Sequence, residues 1–336
     1  MKELYGRVML DIEGFYLTDD EKFLISNKYV GGLILFSRNY ESRIQLKNLI
    51  EEIFSIKENI IIATDQEGGR VQRFIGEFTE IPSMQKITNY AKKNNNYKIF
   101  KDIGWLISSE LLSSGVDINF APVLDINEKN LSVIGDRSFS KDVDEIIECS
   151  ANLIDGMNEA GMMSTGKHFP GHGGVLEDSH FESPINNKKL EDLINHEMKP
   201  YISLSNKLNA IMCAHIMFPD IDSEIPSFSK IWLKKILKDK LKYNGIVFSD
   251  DLSMLGSGQE SCTIKTKKSL KAGCDMVIIC NDRKGVTNVL SFLNENGYEL
   301  SKKLSIMKKK KNVNWDKLSE SQRAIDTKKL LKEIGS

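Results

Sequence analysis

The chain has 336 residues, with 46 Lys and Arg set against 47 Asp and Glu; the net charge of -1 offers no field for nucleic acid or an anionic membrane. Such a length is within the range of one α/β barrel and can bury a large core. Five cysteines, Cys149, Cys213, Cys262, Cys274 and Cys280, are odd in number and show no C-x-x-C spacing, which argues against a disulfide framework or a thiolate zinc site. They are expected as small core residues in a reducing compartment.

The opening "MKELYGRVMLDIEG" has no charged segment followed by a long apolar run, and no window approaches the roughly 18 apolar residues of a membrane span. A cytoplasmic, monomeric chain is expected, with a small-molecule partner and neither nucleic acid nor membrane. Short apolar, β-branched runs then follow one another: "VMLDI" from Val8, "GLILF" from Gly32, "IIIAT" from Ile60 and "INFAPVLDI" from Ile118. "MSTGKHF" from Met163, "AIMCAHIMF" from Ala210, "GIVFSD" from Gly245 and "MVIIC" from Met276 complete about eight predicted strands.

Helical patterns fill the intervals. Val143, Ile146, Ile147, Leu153, Ile154 and Met157 share one face behind the acidic start "DVDE". The asparagine-rich "KKNNNY" reads as a surface loop before the helix holding "IGWLISSELL". This alternation predicts parallel strands with crossover helices in a single (β/α)8 barrel over residues 1–336. An open doubly wound sheet is the alternative, but its G-x-G-x-x-G turn is missing, as is a P-loop. From about Gly297 a helical tail is expected, with "KKKKN" at Lys308–Asn312 solvated.

Polar residues collect after the strands: "TDQEGGRVQR" after the third, "DIN" and "GDRSF" after the fourth, "KHFPGHGG" after the fifth, "SDD" after the seventh and "CNDR" after the eighth. In a barrel those ends converge on one mouth, where carboxylates, Arg, Lys and His form a site and apolar residues would form a core. A sugar-sized polar pocket with two acidic candidates is expected there.

The segments "DQEGGRVQR", "KHFPGHG…DSH" and "GIVFSDDLSM", in this order, resemble the glycoside hydrolase family 3 β-N-acetylglucosaminidases of bacterial peptidoglycan recycling. The resemblance runs from "VMLDIEG" and "GGLILFSRNY" to "AGCDMVIICN", nearly the whole chain. It implies a retaining, metal-free, cofactor-free cytoplasmic barrel enzyme. Residue by residue, it implies Asp250 as nucleophile, Asp178 with His180 as the general acid/base dyad, and Asp65, Arg73, Arg137, Lys167 and His168 as groups holding the terminal N-acetylglucosamine. The implied substrate is a muropeptide, GlcNAc-anhydro-muramic acid carrying a peptide.

The chemistry suits those residue types. Retention needs a carboxylate to attack the anomeric carbon and a second group to protonate the leaving oxygen and then activate water. Asp250 ends an apolar strand at the mouth; Asp251 is expected on the other face of the strand end, capping the following helix. A histidine titrating near neutrality can donate and then accept a proton, and Asp178 two residues earlier can fix its tautomer. The glycines before the dyad predict a mobile loop that enters the site with substrate. A phosphorylase using the same glycosyl-enzyme and a non-catalytic sugar-binding barrel are the competing functions.

The other histidines carry plainer expectations. Pro170 and Gly171 break the helix that a His168/His172 metal pair needs, so His172 is expected to shape its loop. His215 is either a pocket residue or a satisfied core histidine, and His196 faces solvent. Glu67 is expected to be structural, and Arg137 has Asp136 as its nearest acidic partner; Asp65 and Arg73 can pair across the barrel rim.

Overall fold

Eight apolar runs become eight parallel strands in the computed structural model, which describes residues 4–128, 133–172, 174–175, 179 and 182–336. They are β1 (Val8–Leu10), β2 (Val30–Leu35), β3 (Ile61–Thr64), β4 (Ile118–Asn119), β5 (Thr165–Phe169), β6 (Ala210–Cys213), β7 (Ile246–Asp251) and β8 (Met276–Ile279). The hydrogen-bonded order is β4-β3-β2-β1-β8-β7-β6-β5, so the first strand pairs with the last, with Val8 opposite Val277. The remaining seam is irregular: Ile118 bridges Met163, Val123 bridges Lys167, and Thr165 N–H donates to the Ala121 carbonyl at 2.8 Å. The fold is a (β/α)8 barrel.

Strand side chains alternate between two apolar layers because successive Cβ atoms point to opposite faces. Met9, Ile61, Ala63, Ile246, Phe248, Met276 and Ile278 fill the barrel interior, while Val8, Leu10, Ile62, Val247, Val277 and Ile279 face the helices. Phe120 meets Phe248 edge to face across the interior, centroids 5.4 Å apart. Each such buried side chain stabilises the fold by about 1.5–3 kcal/mol relative to exposure, so truncation of Phe248 to Ala would remove a large share of the layer.

The predicted helix around Val143 spans Val143–Ala160. The Asp142 side chain caps it by accepting from the Asp144 and Glu145 amides, and Gly161, at φ 100°, ends it in a left-handed turn. Its face Ile146, Leu153, Ile154 and Met157 is buried against the helix Ile99–Ser113. No helix among the described residues is long and apolar enough to cross a membrane.

The tail departs from expectation. Helices Trp315–Ser319 and Gln322–Gly335 form, but the segment before them closes the lower end of the barrel instead of trailing in solvent. Leu304 and Met307 are fully buried in the interior layer. Lys308 Nζ donates to the Ile60 carbonyl at 2.8 Å and to Asp117 at 3.1 Å, and Lys303 Nζ donates to the Gly245 carbonyl at 2.7 Å and to Asp275 at 2.8 Å. Backbone acceptors at the start of strands need donors, and these lysines supply them. Within the run Lys308 and Lys309 are half-buried, while Lys310, Lys311 and Asn312 are exposed as expected.

Candidate active site

The upper ends of the strands surround a cavity of about 440 Å³. Asp65, Arg73, Arg137, Lys167, His168 and Asp250 all line it, so six of the eight predicted site residues converge. The other two, Asp178 and His180, lie outside the described residues.

One side of the cavity is an ion-pair network built on a hairpin, Gln66–Gly68 with Val71–Gln72, whose turn uses Gly68 and Gly69 at positive φ. The Gln66 side chain braces this hairpin, accepting from the Arg73 and Phe74 amides, each at 3.0 Å, and donating to the Phe74 carbonyl at 2.8 Å. Lys167 Nζ reaches from β5 to Asp65 at 2.7 Å and to Glu67 at 2.5 Å. Arg137 forks onto Glu67, with Nε and Nη2 each donating at 2.8 Å, and Arg73 Nη2 reaches Asp65 at 3.3 Å.

The partner of Arg137 is therefore the distant Glu67, not the neighbouring Asp136, because the fork needs a carboxylate facing the cavity. Burial alone would raise the Glu67 carboxyl, yet the Arg137 and Lys167 charges outweigh it and hold the group below its usual range. Asp65 behaves likewise: burial opposes ionisation, and Lys167 and Arg73 overcome it. Both carboxylates stay ionised, and Glu67 holds Arg137 and Lys167 in place, in keeping with the structural part expected of it.

His168 owes its orientation to Asp125, a residue that sequence reasoning passed over. The Asp125 carboxylate lies 2.7 Å from His168 Nδ1 and accepts from the backbone amides of His168 and His172. Burial works against this carboxylate's charge, but His168 more than compensates and lowers its pKa. With Nδ1 committed to Asp125, Nε2 is the ring nitrogen available to a ligand. The "DIN" segment after the fourth strand was the signal.

His172 does not line the cavity. Its amide donates to Asp125 at 2.7 Å and its Nε2 lies 3.3 Å from Ser179 Oγ, in keeping with a residue that shapes the loop. His215 fits neither expected role: it is fully buried, off the cavity wall, and without a hydrogen-bond partner for either ring nitrogen among the described residues. Burial, opposed by the charge of Asp250, brings its pKa down to about 4, so it is neutral.

His196 is not simply solvent-facing, since its Nδ1 lies 2.9 Å from Glu128. Glu128, His196 and Glu197 are the one group among the described residues with metal-ligand proximity, and the Lys188 ammonium pairs with both carboxylates.

At the end of β7 two adjacent carboxylates take different parts. Asp251 accepts from Ser253 N at 2.9 Å, Cys280 N at 3.0 Å and Ser253 Oγ at 2.8 Å. It borders the cavity instead of turning away, and it caps a turn leading to the 3-10 segment Leu255–Ser257, not an α-helix. Burial foremost raises its pKa to about 6. Asp250 also faces the cavity; one of its oxygens accepts from the Asp251 amide at 2.8 Å. Phe36 and Arg38 also line the cavity, with the Arg73 guanidinium 5.3 Å from the Phe36 ring centroid; they are unmarked in sequence because nothing in "FSRNY" has a catalytic spacing.

A (β/α)8 barrel whose mouth gathers carboxylates and forked cations around a sugar-sized cavity has the form of a carbohydrate-processing enzyme. Residues 7–312 match the glycosyl hydrolase family 3 N-terminal domain. The chain is 42% identical over 325 residues to a beta-hexosaminidase of Haemophilus influenzae, covering 94% of this chain and 92% of that protein. It is 45% identical over 287 residues to a beta-hexosaminidase of Idiomarina loihiensis, covering 85% and 87%. The structure of NagZ from Neisseria gonorrhoeae in complex with N-trifluoroacetyl-D-glucosamine superimposes with a TM-score of 0.91 at 33% identity, covering 99% of both chains. The protein belongs to glycosyl hydrolase family 3 and is a glycoside hydrolase.

Proposed function

We propose that the protein is a cytoplasmic, retaining exo-β-N-acetylglucosaminidase that removes the non-reducing terminal GlcNAc from GlcNAc-1,6-anhydro-MurNAc peptides. The observation that carries this reading is the shared cavity of Asp250 and the Asp65–Lys167–Glu67–Arg137 network. It sets a carboxylate opposite a cluster suited to holding the hydroxyls of one sugar. The beta-hexosaminidase relatives and the N-trifluoroacetyl-D-glucosamine bound to the Neisseria protein support an N-acetylhexosamine as that sugar.

In this reading Asp250 attacks the anomeric carbon and forms a covalent glycosyl-enzyme as the leaving oxygen takes a proton from His180. His180, oriented by Asp178, then removes a proton from water, which attacks the same carbon and releases Asp250. Asp251, held by three donors, leaves the attack to its neighbour. Hydrolysis of 4-nitrophenyl N-acetyl-β-glucosaminide beside the matching glucoside tests sugar class, and NMR of the first-formed anomer tests retention. Mass spectrometry of digested muropeptides should show loss of one N-acetylhexosamine. Preference for the glucoside, or release of a sugar phosphate only when phosphate is added, would overturn the proposal.

A further inference from the structure

Outside the cavity, three side chains meet where the segment after β4 approaches the connection between β5 and β6. Glu128 follows the "DIN" of Asp125, and His196 and Glu197 are consecutive in the turn that ends the helix Leu190–Asn195. None of the three lines the cavity. Glu128 Oε1 lies 2.9 Å from His196 Nδ1, and Glu197 Oε2 lies 3.6 Å from the same nitrogen. One potential ligand atom from each residue lies within 4.8 Å of the other two.

Lys188 accounts for only part of the negative charge. Its ammonium pairs with Glu197 Oε1 and lies 3.0 and 3.3 Å from the two Glu128 oxygens. Glu197 Oε2 is left over: the residue is 2% exposed, and this oxygen has no hydrogen-bond partner among the described residues. A buried carboxylate oxygen without a donor is costly, and a cation facing it removes that cost. The stem of Glu197 is packed against the bare Cα of Gly171, where an added Cβ would come within 2.7 Å of Glu197 Cβ, so the carboxylate is held in place.

Spacing and atom types choose among cations. Ligands at ~2.0–2.1 Å from a tetrahedral zinc stand ~3.3–3.4 Å from one another. The 2.9 and 3.6 Å separations bracket that edge, so the three residues need little movement to take up the geometry. One imidazole and two carboxylates suit zinc better than calcium or magnesium, which call for six or more oxygens. The neutral imidazole can carry its single proton on Nε2, which leaves Nδ1 as the ligand atom.

We propose that Glu128, His196 and Glu197 bind one zinc ion through Glu128 Oε1, His196 Nδ1 and Glu197 Oε2, with water in the fourth position. Lys188 is the outer partner that orients both carboxylates. The site is structural: the metal ties the segment after β4 to the β5–β6 connection. It stands apart from the assignment of catalytic residues, since none of its ligands belongs to the cavity.

The test uses the full chain, stripped of metal by a chelator and titrated with zinc chloride in a calorimeter. One zinc per chain should bind, and excess magnesium should not displace it. Saturating zinc should raise the melting temperature by at least about 3 °C. His196→Ala and Glu128→Gln should each weaken zinc binding by at least about 10-fold and lose the thermal shift. Both side chains are partly exposed, so the metal-free variants should melt within about 2 °C of the metal-free wild type. Cobalt in place of zinc should give the visible bands of a low-coordinate site in the wild type and not in either variant. No binding by the wild type at about 1 mM zinc, or zinc bound with unchanged affinity in either variant, would overturn the proposal.

Discussion

Glu67 receives Arg137 through two parallel 2.8 Å hydrogen bonds and Lys167 through a third at 2.5 Å, so one carboxylate orients two cations of the cavity. Removing its charge leaves Arg137 buried without its carboxylate and Lys167 with Asp65 alone; loss of one partner of a buried pair destabilises by about 3–5 kcal/mol. We expect Glu67→Gln to lower the melting temperature and to raise KM for good and poor leaving groups alike. A double-mutant cycle with Arg137→Gln should give a coupling of more than about 1 kcal/mol; additive effects would show that the fork contributes nothing.

Asp250→Ala should reduce kcat by at least about 1,000-fold, with the fold retained, because the barrel's stability resides in its apolar layers. Azide should restore turnover of an activated glycoside and give the glycosyl azide of inverted configuration. Labelling of Asp251 by a fluorinated glycoside would reassign the nucleophile.

His180→Ala should slow glycosides with poor leaving groups far more than those with good ones, by about 10²-fold or more, and Asp178→Asn should show a milder form. Brønsted plots of kcat/KM against leaving-group acidity give the comparison. Unchanged slopes would point to binding instead of proton transfer.

Asp125→Asn should uncouple His168 from its fixed tautomer and lower kcat/KM by about 10-fold or more. The loss should appear with every leaving group if His168 holds the sugar as proposed. Full activity in Asp125→Asn would show that the ring needs no such partner.

Asp251 links stability to pH. Folding raises this carboxyl from 3.8 to about 6, chiefly through burial. The stability it contributes is complete below pH 3.8 and is lost as pH rises through about 6, on the order of 3 kcal/mol. Asp251→Asn cannot ionise, so the melting temperature of the wild-type protein relative to the variant should fall between pH 4 and pH 7. Parallel melting curves across that range would contradict the assigned titration.

The strands were legible in sequence because parallel strands covered on both faces are continuous apolar runs, and "GIVFSD" and "MVIIC" lie where β7 and β8 do. The cavity residues were legible because a barrel brings strand ends together whatever their separation in the chain. Asp65 and Arg73, close in the chain, were legible as a rim pair, but distant partners were not: Glu67 and Arg137 are 70 residues apart, and Asp125 and His168 are 43 apart. The "DIN" segment marks Asp125 as a polar strand end, but nothing local in it says that the partner is a histidine on the next strand. Lys308 misled for the opposite reason, since a run of lysines looks solvated until the carbonyls it meets are known.

The lower closure of the barrel sets an order on folding. Tyr5 and Ser301 exchange backbone hydrogen bonds at 2.9 and 2.8 Å, β1 lies between β2 and β8, and Leu304 and Met307 complete the interior beneath them. During synthesis the first strand is therefore held open on one side until β8 has emerged from the ribosome. Contacts between such distant segments slow folding, because the loop between them must be closed before any of them forms. Met9 and Met276, neighbours in the finished interior, are among the last pairs to meet, and an emerging chain depends until then on its helix-facing layer to hold the partial sheet together.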